Sequence, residues 1–250
     1  MFLIGAAGGL VSGLLGVGGA VILLPLLSTF GGLTMKEASG ITIVQVVASA
    51  LVSWLVYQRG RMVHLRLAVY MGTASAIGGF AGGYASQAFS PRAVEWLFLV
   101  VVLGAIVLLF LPVQEVAPKA GEYPPFHSVL AVLLGAAVGL LAGILGAGGG
   151  FLIVPLMIGP LRLPTRLAIG SSPVVILISA SFALAGKLLA GQIRPDLAAA
   201  LVLGAAPSAY AGALIGRRLP SRFLRVLLGV MLVLIGARGA ILVFAPGLLE

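Results

Sequence analysis

The chain has 250 residues, 61% of them hydrophobic and only 8% charged, with a formal net charge of +9 and no cysteine. A soluble domain carries about 25% charged residues, so this chain cannot cover itself for water, and apolar runs of about 20 residues, the length of a membrane span, fill nearly all of it. The missing cysteine excludes disulfides, thiol catalysis and thiolate metal sites. The basic residues stand singly or in small clusters between apolar runs, as in cytoplasmic loops, so a nucleic-acid partner is not expected.

The N-terminus has neither a charged leading region nor a small-residue cleavage site, so no removable signal peptide is expected. Residues 2–30 form a first apolar segment, broken at 16–19, and three spans are predicted over 38–57, 67–88 and 93–111. A polar stretch over 112–125, with Glu115, Lys119 and Glu122, then divides the chain. The reading is a first transmembrane repeat over 1–113, a cytoplasmic linker over 114–125 and a second repeat over 126–250. The second half has a segment over 127–158, broken at 146–150, and predicted spans over 167–189, 196–216 and 223–244. The pairs Gly79 with Gly83 and Gly212 with Gly216 have the spacing that lets membrane helices approach closely.

The two breaks are copies. Gly13, Gly16, Gly18, Gly19 and Pro25 each recur 130 positions later, as Gly143, Gly146, Gly148, Gly149 and Pro155. Glycine admits positive φ and leaves its N–H uncovered, and each proline is expected in the first turn of a restarted helix. The arms beside residues 16–19 hold about 11 to 14 residues, or about 16–21 Å, short of the ~30 Å hydrocarbon core.

Charge bears on the topology. If all eight segments span, Arg59, Arg61, Arg66, Lys119, Lys187, Arg194 and Arg238 make seven cations on one side against eight on the other. If each broken segment returns to its own side, Arg59, Arg61, Arg66, Lys119, Arg162, Arg166, Arg217, Arg218, Arg222 and Arg225 fall together, ten against five. The positive-inside bias favours the second arrangement over one long, kinked span. The fold class read here is therefore an all-α integral membrane protein of two four-segment repeats, inverted on this count, each with a glycine-broken re-entrant or discontinuous first segment and three spanning helices.

Irregular backbone at membrane depth must be buried in protein or line a wet cavity. Two repeated breaks are expected to meet near the midplane, where transporters of repeated architecture hold their substrates. Exposed N–H groups and helix N-termini there would form an anion-binding concavity. The next segment of each half opens on a polar turn, Ser39-Gly40-Ile41-Thr42 and Gly170-Ser171-Ser172-Pro173, followed by Gln45, Ser49 and Ser53 in the first half and Ser179 and Ser181 in the second. Such neutral donors suit release as well as binding. The plainer alternatives are packing or a kink for the glycines, and back-bonding to preceding carbonyls for the hydroxyls. A dinucleotide fingerprint fails, because no strand precedes the glycines and no acid follows.

His64 and His127 lie at segment ends and are expected to be solvated or interfacial, too isolated to bind metal. Glu37, Glu95, Glu115, Glu122, Asp196 and Glu250 lie near segment ends or in loops, so no central proton relay is expected. Lys187 is expected to snorkel to the interface, and Trp54, Tyr57 and Trp96 to form an aromatic belt. No cofactor, no metal and no catalytic constellation is expected.

The doubled Gly-x-x-Gly-x-Gly-Gly-Gly/Ala followed by Pro-Leu, each with a Gly-Thr or Gly-Ser turn some 24 residues on, resembles the TauE/SafE family of sulfite-exporter or toluene-sulfonate-uptake permeases. The resemblance covers essentially the whole chain. It implies a multi-pass inner-membrane secondary transporter for small sulfur oxyanions such as sulfite, sulfonates or sulfoacetate. Gly16, Gly18, Gly19, Gly146, Gly148, Gly149 and Gly150 match the family's glycine loops, and Thr42, Ser171 and Ser172 its polar turns; Gln45 completes the expected substrate-binding set. The first half departs from the pattern at Gly-Ile-Thr and at Ala20, which makes the second break the stronger site on this reading. The expected partners are a small organic or inorganic anion and the lipid bilayer; a homo-oligomer is left open. Rival readings are an anion channel with the glycine loops as filter, a non-transporting scaffold or subunit and, least of all, an intramembrane enzyme.

Overall fold

The computed structural model describes residues 1–110, 124–146 and 149–244. Among them lie ten α-helices: α1 (Phe2–Leu15), α2 (Ala20–Phe30), α3 (Met35–Arg59), α4 (Leu65–Ala85), α5 (Pro91–Phe110), α6 (Ser128–Leu145), α7 (Gly150–Ile158), α8 (Thr165–Leu189), α9 (Pro195–Gly216) and α10 (Ser221–Phe244). Both broken segments are helix pairs and the remaining boundaries fall within a few residues of the expected ones. Most of the linker expected over 114–125 lies outside the described residues, which omit 111–123.

Six helices are long and apolar enough to cross a membrane: α3, α5, α6, α8, α9 and α10. The set departs from three spans per half. The 18-residue α6, about 27 Å long, joins it. The expected span α4 does not, although it has 21 residues, because Gly78, Gly79, Gly82 and Gly83 together with Thr73 and Ser75 dilute its hydropathy.

Helix ends follow local chemistry. Thr34 begins α3 with a capping box, its hydroxyl accepting from Glu37 N while Glu37 accepts from Thr34 N. His64 Nδ1 accepts from Leu67 N at 3.2 Å to cap α4, which fixes Nε2–H as donor to Pro124 O at 3.2 Å. His64 is 5% exposed, so the expected solvated role is wrong: its ring closes a turn. Pro25 and Pro155 also depart from expectation. They lie inside α2 and α7, five residues past the restart, where each removes a bond to the carbonyl four residues earlier.

The buried centre is the pair α3 and α8. They run antiparallel, because Gly40 of α3 abuts the Gln192 carbonyl just beyond α8, and Gly170 of α8 abuts the Met62 carbonyl just beyond α3. Two close helix pairs flank it. Gly5, Gly9 and Gly13 of α1 lie against the carbonyls of Leu201, Ala205 and Ala209 of α9; Gly135, Gly139 and Gly143 of α6 lie against those of Met71, Ser75 and Gly79 of α4. The register advances together in each, so both pairs are parallel. Lipid offers no hydrophobic drive between helices, and backbones brought this close by small residues supply packing in its place. Gly79 and Gly83 also face α8, and Gly212 and Gly216 face α1, as the packing reading anticipates.

Candidate functional site

α1 ends at Gly16, left-handed at φ 66° and ψ 26°, with its N–H on Ser12 O. Gly18 and Gly19 follow at φ 80° and 73°, a path side chains rarely take. The Gly19 carbonyl accepts from Ile22 N at 3.1 Å and Leu23 N at 3.2 Å. The N–H groups of Gly18, Gly19, Ala20 and Val21 have no acceptor among the described residues, so α2 begins with its positive end uncapped. The described ends of the second break match those of the first. Gly146 ends α6 at φ 66°, and Gly149 begins α7 at φ 69°, its carbonyl accepting from Leu152 N at 3.0 Å and Ile153 N at 2.9 Å. Gly148 lies outside the described residues. The two breaks touch: the Val17 backbone lies against Gly150, where a methyl group would collide with it.

The polar turns bond across the halves. Ser172 Oγ donates to Gly16 O at 2.7 Å and Ile169 O at 3.1 Å, while Thr42 Oγ1 donates to Gly146 O at 3.2 Å and Ser39 O at 3.3 Å. Each break therefore has its terminal carbonyl held by the other half's helix, and both hydroxyl protons are engaged there. Ser171 Oγ accepts from His64 N at 2.8 Å, away from the breaks, and holds the turn before α4. Thr42, Gln45, Ser171 and Ser172 are all fully buried.

Gln45 stands apart. Its Nε2 donates to Ser49 Oγ at 2.6 Å and lies 3.3 Å from where a Cβ on Gly19 would sit, while its Oε1 has no partner among the described residues. Ser49 can donate or accept, so either orientation of the amide leaves one end unpaired beside the first break. At the second break Gly149 faces Val138 and Ala142 instead. The unpaired polar side chain thus stands at the first break. Ser53 Oγ bonds Ser49 O, and the exposed Ser181 bonds Leu177 O, so both back-bond to their own helix.

The family described as sulfite exporter TauE/SafE matches residues 1–239. The chain belongs to the TauE/SafE family. Its relatives include the probable membrane transporter protein YunE of Bacillus subtilis (strain 168), 25% identical over 260 residues with 95% of both chains covered. A probable membrane transporter protein of Xylella fastidiosa (strain 9a5c) is 35% identical over 176 residues, 66% of each chain. The probable membrane transporter protein MJ0441 of Methanocaldococcus jannaschii is 21% identical over 253 residues, 94% of this chain and 92% of that one. No solved structure matches.

This TauE/SafE chain is a multi-pass membrane protein, and it buries two groups that the sequence places at the interface. Tyr57 is fully buried and its hydroxyl donates to Gly13 O at 2.8 Å and Leu14 O at 3.2 Å. Lys187 is also fully buried and does not snorkel. Nothing in the linear sequence marks either, because the groups that receive them come from other helices. Among the described residues no three His, Asp or Glu side chains are grouped to hold a metal. At the end of the molecule holding Arg61, Arg66 and Arg162, cavities of about 510 and 450 Å³ open, one lined by His64, Arg66, Tyr70 and Phe126, the other by His127, Pro160 and Arg162.

Proposed function

We propose that the protein is a secondary transporter of a small sulfur-containing oxyanion of the sulfite, sulfonate or sulfoacetate type, bound where the two glycine breaks meet. The observation that carries this reading is the uncapped start of α2 beside the unpaired amide of Gln45, fully buried and against Gly19. Uncovered N–H groups at a helix start carry partial positive charge and attract anions. In this reading Gly18, Gly19 and the following N–H groups, with Gln45, contact the anion. Gly149 and Gly150 complete the wall from the other half, and Gly16, Gly146, Thr42, Ser171 and Ser172 fix the geometry. Such a site holds its ligand without a fixed charge, so release stays easy. The family's description as a sulfite exporter favours a sulfur oxyanion over a carboxylate.

The two halves act as inverted repeats that exchange access. Reciprocal pairing supports this: α1 with α9 answers α6 with α4, and Ser172 on Gly16 answers Thr42 on Gly146. The helix directions support re-entrant hairpins. α9 runs back from α8, so α1, parallel to α9, runs parallel to α3; α2 between them then returns to the end where α1 begins. With hairpins, ten of fifteen cations share the side of the arginine-lined cavities, where they concentrate anions within roughly a Debye length.

Thermal unfolding of the purified protein against sulfite, thiosulfate, taurine-like sulfonates, sulfoacetate, carboxylates and chloride tests the reading. A ligand at a hundredfold excess over its Kd adds about 2.7 kcal/mol to stability. Stabilisation by one sulfur oxyanion, lost in Gln45→Leu, is the expected result. An equal response to every anion sinks the proposal.

A further inference from the structure

Lys187 of α8 is fully buried, and its Nζ meets only neutral acceptors: Ser39 Oγ at 3.1 Å, Ser86 Oγ at 3.0 Å and Gln192 Oε1 at 3.2 Å. A buried charge without a counter-charge is costly and is normally paired. Of the carboxylates at this end, Glu37 bonds Thr34, Asp196 lies 3.7 Å from Arg194, and Glu95 of α5 makes no ion pair with Lys187. Lys36, whose Nζ donates to Gln87 O and Phe89 O, brings a second cation to the same end.

The donors around Lys187 outnumber their acceptors. An ammonium can only donate, so Gln192 must turn Oε1 towards it, and the amide nitrogen is left buried with no partner. Ser39 Oγ donates to Lys36 O at 2.8 Å, and Ser86 Oγ to Gly83 O at 2.6 Å or Gln192 Oε1 at 3.0 Å. Both hydroxyls are therefore already placed as acceptors for Lys187. What remains is one positive charge and two unpaired N–H bonds side by side.

Packing does not call for this chemistry. The residues 130 positions away from Ser39, Ser86, Lys187 and Gln192 are Ile169, Gly216, Tyr57 and Met62. They stand in matching contacts at the opposite end: Ile169 O on Gly16, Tyr57 Oη on Gly216 and Met62 O on Gly170. At that end the Tyr57 hydroxyl is satisfied by backbone carbonyls, and the nearby charge, Arg217, is only partly buried and donates to Val56 O at 3.3 Å. The scaffold closes that end without a fully buried charge, so three polar residues in place of apolar ones, and a buried lysine in place of a tyrosine, point to a ligand at this end.

We propose that Lys187, the Gln192 amide, Ser39 and Ser86 form a second oxyanion site, at the end of the molecule opposite the arginine-lined cavities. Its ligand is a small free oxyanion, whose oxygens accept from Gln192 Nε2 and, in place of Ser39 or Ser86 Oγ, from the Lys187 ammonium. Full burial of Lys187 between α3 and α8 favours a small ion over a lipid headgroup. Ser39 also abuts Gly146, so this site adjoins the second break. The binding claim stands whether or not the breaks hold the cargo.

The test is thermal unfolding and calorimetric titration of the full-length protein in neutral detergent, with sodium sulfate, sodium sulfite or phosphatidylglycerol, each against chloride at equal ionic strength. Lys187→Met keeps the volume and removes the charge; it is expected to melt no lower than the parent and to bind the oxyanion roughly 10- to 100-fold more weakly, the scale of a lost charge-assisted hydrogen bond. Gln192→Glu supplies a carboxylate in place, and is expected to raise the melting temperature and abolish this site's oxyanion response. In the titration the parent is expected to show two oxyanion binding events, of which Lys187→Met and Gln192→Glu remove one and Gln45→Leu the other, which separates this site from binding at the breaks. An unchanged sulfate and sulfite response in Lys187→Met and Gln192→Glu, or saturation by phosphatidylglycerol alone, overturns the proposal.

Discussion

At Gly16 and Gly146 a single carbonyl decides how each break is held. Both are helix-terminal groups with no partner in their own helix, and each is taken by a hydroxyl from the opposite half. Ser172→Ala and Thr42→Val are each expected to cost about 1 kcal/mol for the lost bond, rising to about 3 where the carbonyl stays buried and unpaired. Urea or thermal unfolding in detergent checks this; no loss in either variant would show that the bonds hold nothing. These positions were legible as a matched pair, since the spacing of 130 gives Thr42 and Ser172 equivalent places. Their partners were not, because a hydroxyl near a polar turn reads the same whether it faces a ligand or a carbonyl. Lys187 failed for a related reason: linear sequence displays distance to a helix end, and says nothing of Ser39 and Ser86 arriving from other helices.

Among elements, the glycine faces of α1 and α6 do more than the breaks to set the architecture. A Cβ at Gly139 would run into the Ser75 carbonyl, which backbone cannot yield cheaply, whereas one at Gly104 meets nothing within 4 Å. Gly139→Leu is therefore expected to cost at least the 1–3 kcal/mol typical of overpacking, with loss of a monodisperse peak on size exclusion, and Gly104→Leu to leave it unchanged. Equal behaviour of the two would refute close packing of α4 and α6. The spacing at Gly79 and Gly83 was readable as packing from sequence alone. The stripe at Gly5, Gly9 and Gly13 was hidden because it runs into the break and shares its glycines. The position of Pro25 was misread because proline favours a first turn, whereas here glycine starts the helix and proline sits within it.

For the molecule as a whole, the arrangement of α1 and α2 sets which loops share a side of the membrane. Arg59 and Pro160 are both exposed and the chain has no cysteine, so Arg59→Cys and Pro160→Cys can be labelled with an impermeant maleimide one at a time. Hairpins put both on one side; labelling from opposite sides would mean that the broken segment of the second half crosses. Sequence reached this question through charge alone, since length cannot tell a hairpin from a bent span, and the 18-residue α6 shows how near the two come. The pairing of α1 with α9 also has a consequence for biogenesis. Gly5 is synthesised 196 residues before Leu201, which covers it. At about 5–20 residues per second, α1 waits roughly 10–40 s in the bilayer with its glycine face unpartnered. During that interval it is exposed to stray helices and to quality-control proteases, so ribosome stalling or truncation before α9 should leave a product that is degraded rather than one that is partly active.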